Sequence, residues 1–203
     1  MKGIQAGLFL MLITFCCTAQ SVNFQVQKLL GEGRVQDQKG EFTKAEESYG
    51  LALYLDSTNV AAHIALGILY HKCDRYEKAL VELNTALQYD IQDADAHFVR
   101  ANIYTDMGML SFALSDYSQA IAEEPTMLYA YLNRGFIYSE MSLFENAIND
   151  FSIAIQIDRD AAVAHYSFMR VQGVPVLEKN CFYAENQSAK DIRANMVFNT
   201  FCF

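Results

Sequence analysis

Residues 60–93, VAAHIALGILYHKCDRYEKALVELNTALQYDIQD, contain the pattern that decides the fold. When the chain is aligned with itself at an offset of 34 residues, the same pattern appears in each copy. Two columns of alanine run through the copies: Ala45, Ala79, Ala113 and Ala147, and then Ala52, Ala86, Ala120 and Ala154. A period of this length indicates a stacked array of similar units, none of which buries its apolar face alone.

Each copy contains two helical patterns joined by a short turn. In residues 128–161 the first pattern places Tyr131, Gly135 and Tyr138 on one face, and the second begins at Phe144 and continues through the alanines. Spacings of three and four residues are those of a helix face. A left-handed residue is expected to close the first helix of each pair. The residues at that position are Gly40, Asp74, Gly108 and Ser142.

The composition excludes several classes of protein. The chain has 203 residues, a net charge of −9 and 52% hydrophobic residues. This apolar content is sufficient for a sizeable core and excludes wholesale disorder. The negative charge argues against a nucleic-acid surface, which needs clustered lysine and arginine. The presence of only 2 prolines and 10 glycines disfavours a turn-rich all-β fold.

The N-terminus is expected to be a signal peptide that covers residues 1–19. Its apolar stretch of about a dozen residues has the length of a signal-peptide core and is shorter than the roughly 20 residues that cross a bilayer. Small residues predict cleavage between Ala19 and Gln20. An uncleaved anchor and a lipid attached at Cys16 or Cys17 are the alternatives.

The repeat resembles the tetratricopeptide repeat family. The motif residues are Leu66, Gly67, Tyr70, Tyr76, Ala79 and Ala86 in one copy, and Tyr104, Gly108, Ala113, Tyr117, Ala120 and Pro125 in the next. The resemblance implies an all-α, right-handed superhelical solenoid of antiparallel helix pairs, whose first helices form most of a concave face. Its array covers residues 20–161, with units at 26–59, 60–93, 94–127 and 128–161. The first repeat, residues 26–59, departs from the pattern, because Glu32 stands where Leu66 stands in the second repeat.

The C-terminal residues depart from the repeat. We expect a capping helix at residues 162–172 and an irregular tail at 173–203, since Gly173 and Pro175 interrupt the pattern. The tail either stays poorly ordered, docks on the last unit or is non-native sequence. Cys181 and Cys202 either pair in an oxidising compartment or remain unpaired, as Cys73 does.

The resemblance also places a candidate binding groove on the first helices. The groove residues are Ile64, Ile68, Phe98, Asn102, Tyr129, Leu132 and Phe136. They are mostly apolar or aromatic, which is typical of interaction sites. Chaperone-binding members of the family hold a peptide carboxylate with lysine, asparagine and arginine. Only Asn102 matches that set, so we do not expect a carboxylate clamp.

No combination of side chains predicts catalysis, a metal site or a cofactor. His63, His97 and His165 share one column, but stacked units hold equivalent residues too far apart to meet at one ion. The column is therefore interpreted as a packing position. Gly31-Glu32-Gly33 lacks the preceding strand of a dinucleotide site.

Two charged columns are expected to pair between helices and to serve the fold. Arg100 and Arg134 occupy one column, and Asp116 and Asp150 occupy the other. Such a pair contributes less than its Coulomb energy suggests, because both charges lose water. We therefore interpret these residues as structural.

The sequence predicts a non-catalytic scaffold that binds another polypeptide through an apolar and aromatic concave groove. The family resemblance, together with the expected signal peptide, implies an exported bacterial protein of the periplasm or the extracellular space, with association to the outer membrane as an alternative. No nucleic-acid partner, cofactor or membrane span in the mature chain is expected. The alternative is a self-associating structural subunit of an envelope complex, and an enzyme or metal protein is the more distant one.

Overall fold

The protein is all-α over the residues that the structure describes. The structure is a computed structural model that describes the backbone of residues 2–161 and the side chains of residues 20–161. The helices are α1 (Lys2–Gln38), α2 (Phe42–Leu55), α3 (Val60–Lys72), α4 (Tyr76–Tyr89), α5 (Ala94–Asp106), α6 (Leu110–Glu123), α7 (Leu128–Glu140) and α8 (Phe144–Ile157). They form consecutive pairs joined by short turns, which confirms the predicted fold class.

Each first helix ends in the same left-handed turn. The backbone φ is 75° at Gly40 and 72° at Gly108, and it is 55° at Asp74 and 61° at Ser142. After α3, the amide of Arg75 donates to the carbonyl oxygen of Tyr70 at 2.9 Å, and the amide of Asp74 donates to that of His71 at 3.0 Å. These are the two bonds of a Schellman motif. The turn residues predicted from the sequence are therefore confirmed.

Small residues let the two helices of a pair approach closely. Both alanine columns are fully buried. A Cβ atom added to Gly67 would lie 2.8 Å from the Cγ of Leu83, and one added to Gly135 would lie 2.7 Å from the Cε1 of Phe151. Both distances are shorter than carbon atoms tolerate. In these two pairs the second helix therefore packs a large side chain directly against the backbone of the first.

Side-chain caps start two of the first helices. Asn59 Oδ1 accepts a hydrogen bond from the amide of Ala62 at 3.0 Å before α3, and Asp93 Oδ1 accepts one from the amide of Ala96 at 2.7 Å before α5. Each bond satisfies an amide that has no partner within the first helical turn. After α6, Pro125 prevents the helix from continuing.

The described fold divides into two compact units. Among the described residues, the first unit ends at Ile103 and the second begins at Tyr104, so that the boundary falls inside α5. The first unit has two apolar clusters, one around Tyr49 and Leu66 and the other around Leu83 and Ile103. The second unit has one such cluster around Phe151 among its described residues. The two units are considered separately below.

The terminal predictions have different outcomes. α1 continues without a break from Lys2 to Gln38, through the predicted cleavage point after Ala19. Within the described part of the chain, no helix has both the length and the apolar character that crossing a membrane requires. Signal-peptide cleavage stays a prediction. The predicted capping helix at 162–172 and tail at 173–203, including Cys181 and Cys202, lie outside the described residues.

Candidate protein-binding face

In the first unit, the predicted groove residues lie together on two consecutive first helices. Ile64 and Ile68 on α3 and Phe98 on α5 are half-buried and pack against the cluster that contains Leu83. Asn102, one helical turn beyond Phe98, is also half-buried. We call Ile64, Ile68, Phe98 and Asn102 the first-helix face. It presents apolar side chains whose outer atoms remain in contact with water.

In the second unit, the predicted groove residues separate into two environments. Tyr129 on α7 is 50% exposed, whereas Leu132 and Phe136 retain only 2% and 6% of their exposure. Phe136 packs edge-on against Phe151, with ring centroids 5.2 Å apart. Leu132 and Phe136 belong to the core cluster of this unit, so the expectation that they line an open groove is corrected.

The physical reason lies in the residue that fills the gap beside Gly135. Phe151 approaches the backbone at Gly135, and its ring is large enough to reach the neighbouring side chain of Phe136. In the first unit the smaller Leu83 fills the equivalent gap at Gly67. Ile68, the counterpart of Phe136, accordingly remains half-buried.

A buried ion pair fixes α7 against α6 and α8. Arg134 donates to Asp150 through Nε and Nη2, both at 2.8 Å, and through Nη1 to the hydroxyl of Ser118 at 3.0 Å. The fork geometry satisfies both carboxylate oxygens. The bonds to Asp150 raise the pKa of Arg134 above its usual value. The predicted pairing of these two columns is confirmed here, while Arg100 in the first unit donates to Asn84 at 2.7 Å.

The two members of the histidine column that the structure describes, His63 and His97, are buried and bonded, as an interpretation as packing positions requires, whereas His165 lies outside the described residues. His63 Nδ1 lies 2.7 Å from Glu82 Oε2, and its Nε2 lies 3.2 Å from the carbonyl oxygen of Ser57. His97 Nε2 lies 3.0 Å from the carbonyl oxygen of Ile91. Each histidine thus holds the turn that precedes its own helix. The contact between His63 and Glu82 could not be predicted from the sequence. Alignment of the repeats compares equivalent positions and does not show which different positions are in contact.

Tyr70 connects the first helix pair to the second in the first unit. Its hydroxyl donates to Glu46 Oε1 at 2.9 Å, and Arg75 Nη1 donates to Glu46 Oε2 at 3.2 Å. The cations of Arg75 and Lys78 lie over the Tyr70 ring, at 5.9 Å and 5.5 Å from its centroid. Burial, followed by the hydrogen bond to Glu46, raises the pKa of Tyr70 to about 12. This network stabilises the packing of the second helix pair, α3 and α4, against α2 of the first pair.

The described residues offer little chemistry for a reaction. No group of three or more histidine, cysteine, aspartate and glutamate side chains among them is arranged to hold a metal ion. Cys73, a half-buried free thiol, lies at the end of α3. The polar contacts described above link helices to one another and to their turns, which is the behaviour of a packing framework.

Comparison with solved structures identifies proteins of the same fold. A crystal structure of MamA is 27% identical, with a TM-score of 0.61, and the match covers 68% of this chain and 81% of that one. MamA 41-end from Desulfovibrio magneticus RS-1 is 18% identical, with a TM-score of 0.59 and coverage of 66% and 76%. The first TPR of Spaghetti (RPAP3), bound to HSP90 peptide SRMEEVD, is 18% identical, with a TM-score of 0.56 and coverage of 58% and 94%.

Comparison with protein families gives two matches in the repeat region. Residues 69–108 match a TPR repeat model, and residues 128–161 match a tetratricopeptide repeat model. No curated protein sequence matches the chain. Repeats of this kind generally form non-catalytic scaffolds for protein–protein interaction, and this chain has the features of such a scaffold. The 34-residue register, the helix pairs and the family matches together show that the chain contains tetratricopeptide repeats.

Proposed function

We propose that the chain binds a polypeptide through the first-helix face of its first unit. The observation that carries the proposal is the alignment of Ile64, Ile68 and Phe98 on two consecutive first helices over one core cluster. Half-buried apolar side chains on a rigid base gain free energy when a partner removes their remaining contact with water. The fitting partner is an extended or helical segment with apolar side chains.

The chemistry of the face sets the class of ligand. The first TPR of RPAP3 is bound to a peptide with two glutamates and a C-terminal aspartate, SRMEEVD. On the first-helix face of this chain the polar residue is Asn102, whose amide both donates and accepts hydrogen bonds but carries no charge. We therefore infer an apolar ligand segment in which specificity comes from side-chain shape.

The test is selection from a library of displayed peptides, followed by measurement of the enriched sequences. Replacement of Ile68 by Arg places a charge on the face and is expected to weaken the enriched peptides by at least about tenfold. The matched control is Val81→Arg on α4, where the side chain is 62% exposed. Circular dichroism establishes that both variants are folded. Equal affinity of the peptides for wild type and the Ile68 variant would refute the proposal.

We further propose that the chain is exported to the bacterial cell envelope. The support is the apolar stretch before Ala19 and the small residues that precede Gln20. N-terminal sequencing of protein recovered from cells is expected to begin at Gln20. A chain that begins at Met1 would contradict export by cleavage, and a lipid on Cys16 or Cys17 would replace it with anchoring.

Self-association is the second candidate function, and one observation favours it. Leu51 and Tyr54 on α2 are exposed to 47% and 85%, one helical turn apart. Adjacent exposed apolar residues are a feature of subunit contacts. Sedimentation of the mature chain separates the candidates: a stable homo-oligomer that Tyr54→Lys dissociates favours self-association, and a monomer excludes it.

A further inference from the structure

The second unit exposes a set of apolar side chains at the turns inside its helix pairs. Met107 and Met109 flank Gly108 between α5 and α6, and Met141 and Leu143 flank Ser142 between α7 and α8. Together with Phe112 on the first turn of α6, they are 36% to 56% exposed. We call Met107, Met109, Phe112, Met141 and Leu143 the turn edge. Isolated exposed apolar residues are ordinary, but a cluster of them marks an interaction site.

Contacts between α6 and α7 place both turns at the same end of the unit. The Asn133 side chain donates to the hydroxyl of Tyr117 at 3.3 Å, and the next residue, Arg134, donates to Ser118 at 3.0 Å. The short connection between Glu123 and Leu128 makes α6 and α7 antiparallel, and these bonds set their register. In that register the first residue of α6 lies level with the last residue of α7. Met109 and Met141, immediately beyond those residues, therefore lie at one end.

The apolar character of the turn edge is not a requirement of the repeat. In the first unit, the positions that correspond to Met107 and Met109 hold other residue types. These are Lys39 and Glu41 in one turn, and Cys73 and Arg75 in the other. The turns of both units nevertheless have the same left-handed geometry and the same closing hydrogen bonds. Since the backbone is satisfied in either case, the turn geometry does not require apolar side chains at these positions.

The charges beside the turn edge define the partner. Asp106, Glu140 and Glu145 are exposed and adjoin the two turns. Within residues 104–161 the basic side chains are Arg134, which is bound to Asp150, and Arg159, which lies beyond the opposite end of α8. The turn edge is therefore apolar with an acidic rim. Methionine side chains adapt to irregular ligand surfaces, which suits a site that accepts a helix.

We propose that the turn edge docks a basic amphipathic helix of a partner protein. The apolar stripe of such a helix would cover the methionines, Phe112 and Leu143, while its lysine and arginine residues would pair with the rim. The acidic rim repels an anionic lipid surface, which is why a protein helix is the assigned occupant. This surface is distinct in residues from the first-helix face, so it does not depend on that proposal.

The test uses a labelled synthetic peptide of about 18 residues, or five helical turns, with leucine at helical spacing and lysine elsewhere. Fluorescence anisotropy measures its affinity for the full chain. The same residues in scrambled order, which carry the same charge, form the control peptide. We expect the amphipathic peptide to bind with a Kd below about 100 μM and the scrambled peptide to bind at least about tenfold more weakly.

The decisive variant is the double substitution Met109→Glu with Leu143→Glu. It adds negative charge, so an association that is merely electrostatic becomes stronger, whereas apolar docking becomes at least about tenfold weaker. Val81→Glu in the first unit, which adds charge at an exposed apolar residue of α4, is the matched control and is expected not to weaken binding. If the glutamate variant is unfolded by circular dichroism, Met109→Gln with Leu143→Gln gives the same comparison without added charge.

Three results with the peptides would overturn the proposal. The first is absence of binding to wild type below about 100 μM, and the second is equal binding of the scrambled peptide. The third is undiminished binding to the folded edge variant. Anionic phosphatidylglycerol vesicles provide a further arm, in which binding that the edge variant abolishes would assign the surface to a membrane and overturn the protein partner. A weaker salt dependence in Glu140→Gln with Glu145→Gln would support the acidic rim.

Discussion

The same substitution, glycine to alanine, is expected to change stability in opposite directions at two helical positions of the first unit. At Gly50 on α2, an added Cβ meets no atom within 4 Å. At Gly67 on α3, it would lie 2.8 Å from Leu83 Cγ and 3.0 Å from its Cδ2. Leu83 is fully buried, and its Cγ is a branch point close to the backbone. The leucine therefore cannot turn away as the end of a flexible side chain would.

The magnitudes follow from two opposing terms. Alanine in place of glycine inside a helix gains about 0.5–1 kcal/mol, because the unfolded chain has less conformational freedom to lose. Gly50→Ala is expected to show that gain alone. Overpacking a filled core costs about 1–3 kcal/mol. Gly67→Ala combines both terms and is expected to be destabilising by about 0.5–2 kcal/mol.

Urea denaturation followed by circular dichroism measures both variants against wild type. The midpoint is expected to rise for Gly50→Ala and to fall for Gly67→Ala. Leu83→Ala supplies the specificity control, since it removes the atoms that the new Cβ would meet. In that background Gly67→Ala is expected to lose its penalty. A Gly67 variant as stable as the Gly50 variant would contradict the close approach of α3 and α4.

Three other predictions concern the second unit and the pH dependence of folding. Asp150→Ala is expected to cost about 3–5 kcal/mol in chemical denaturation, because it leaves the half-buried guanidinium of Arg134 without its partner. Burial raises the pKa of Tyr117 to about 12 from the ordinary value of 10.0, so stability is expected to decline as pH rises from 10 toward 12, and Tyr117→Phe is expected to reduce that decline. Phe136→Ala is expected to cost about 3–5 kcal/mol, whereas Tyr129→Ala, on the exposed side of the same helix, is expected to change stability by about 0.5 kcal/mol or less in thermal melts.

The register of the repeat could be predicted from the sequence because buried columns allow few residue types. The second helices begin at Phe42, Tyr76, Leu110 and Phe144, the aromatic and aliphatic column that precedes the first alanine column. The positive φ values fall at the predicted turn position even where aspartate and serine replace glycine. In the two alanine columns, which are fully buried, a larger side chain would collide with a neighbouring helix, so the sequence pattern carries the geometry.

Whether the first-helix positions are exposed or buried could not be predicted from the sequence in the same way. Phe136 and Ile68 occupy one column and have the same neighbour, a helical glycine. Phe136 is nevertheless in the core, because the residue opposite is Phe151 and not leucine. A column pattern records the position of a residue, whereas burial depends on the size of a side chain on another helix.

The irregular first repeat, residues 26–59, shows how a departure from the pattern in one column is compensated in another. Gln36 stands where the other three repeats have tyrosine, and its side-chain oxygen accepts a hydrogen bond from Ser48 on α2 at 2.7 Å. Tyr49, the next residue, packs against the backbone at Gly33. The polar exception is thus satisfied without loss of the close helix contact. A rule that scores each column separately would count the glutamine as a defect.

Function in this chain is expected to lie in the columns that the fold leaves unconstrained. The alanine columns are alike in every unit because overpacking penalises any change. The turn-flanking columns, by contrast, hold Lys39 and Arg75 in the first unit and Met107 and Leu143 in the second, on the same backbone geometry. Because the turn geometry is the same with either set of residues, these columns can differ between repeats and remain available for recognition. The two units of this chain therefore offer different surfaces on one scaffold, an apolar first-helix face in the first and an acid-rimmed turn edge in the second.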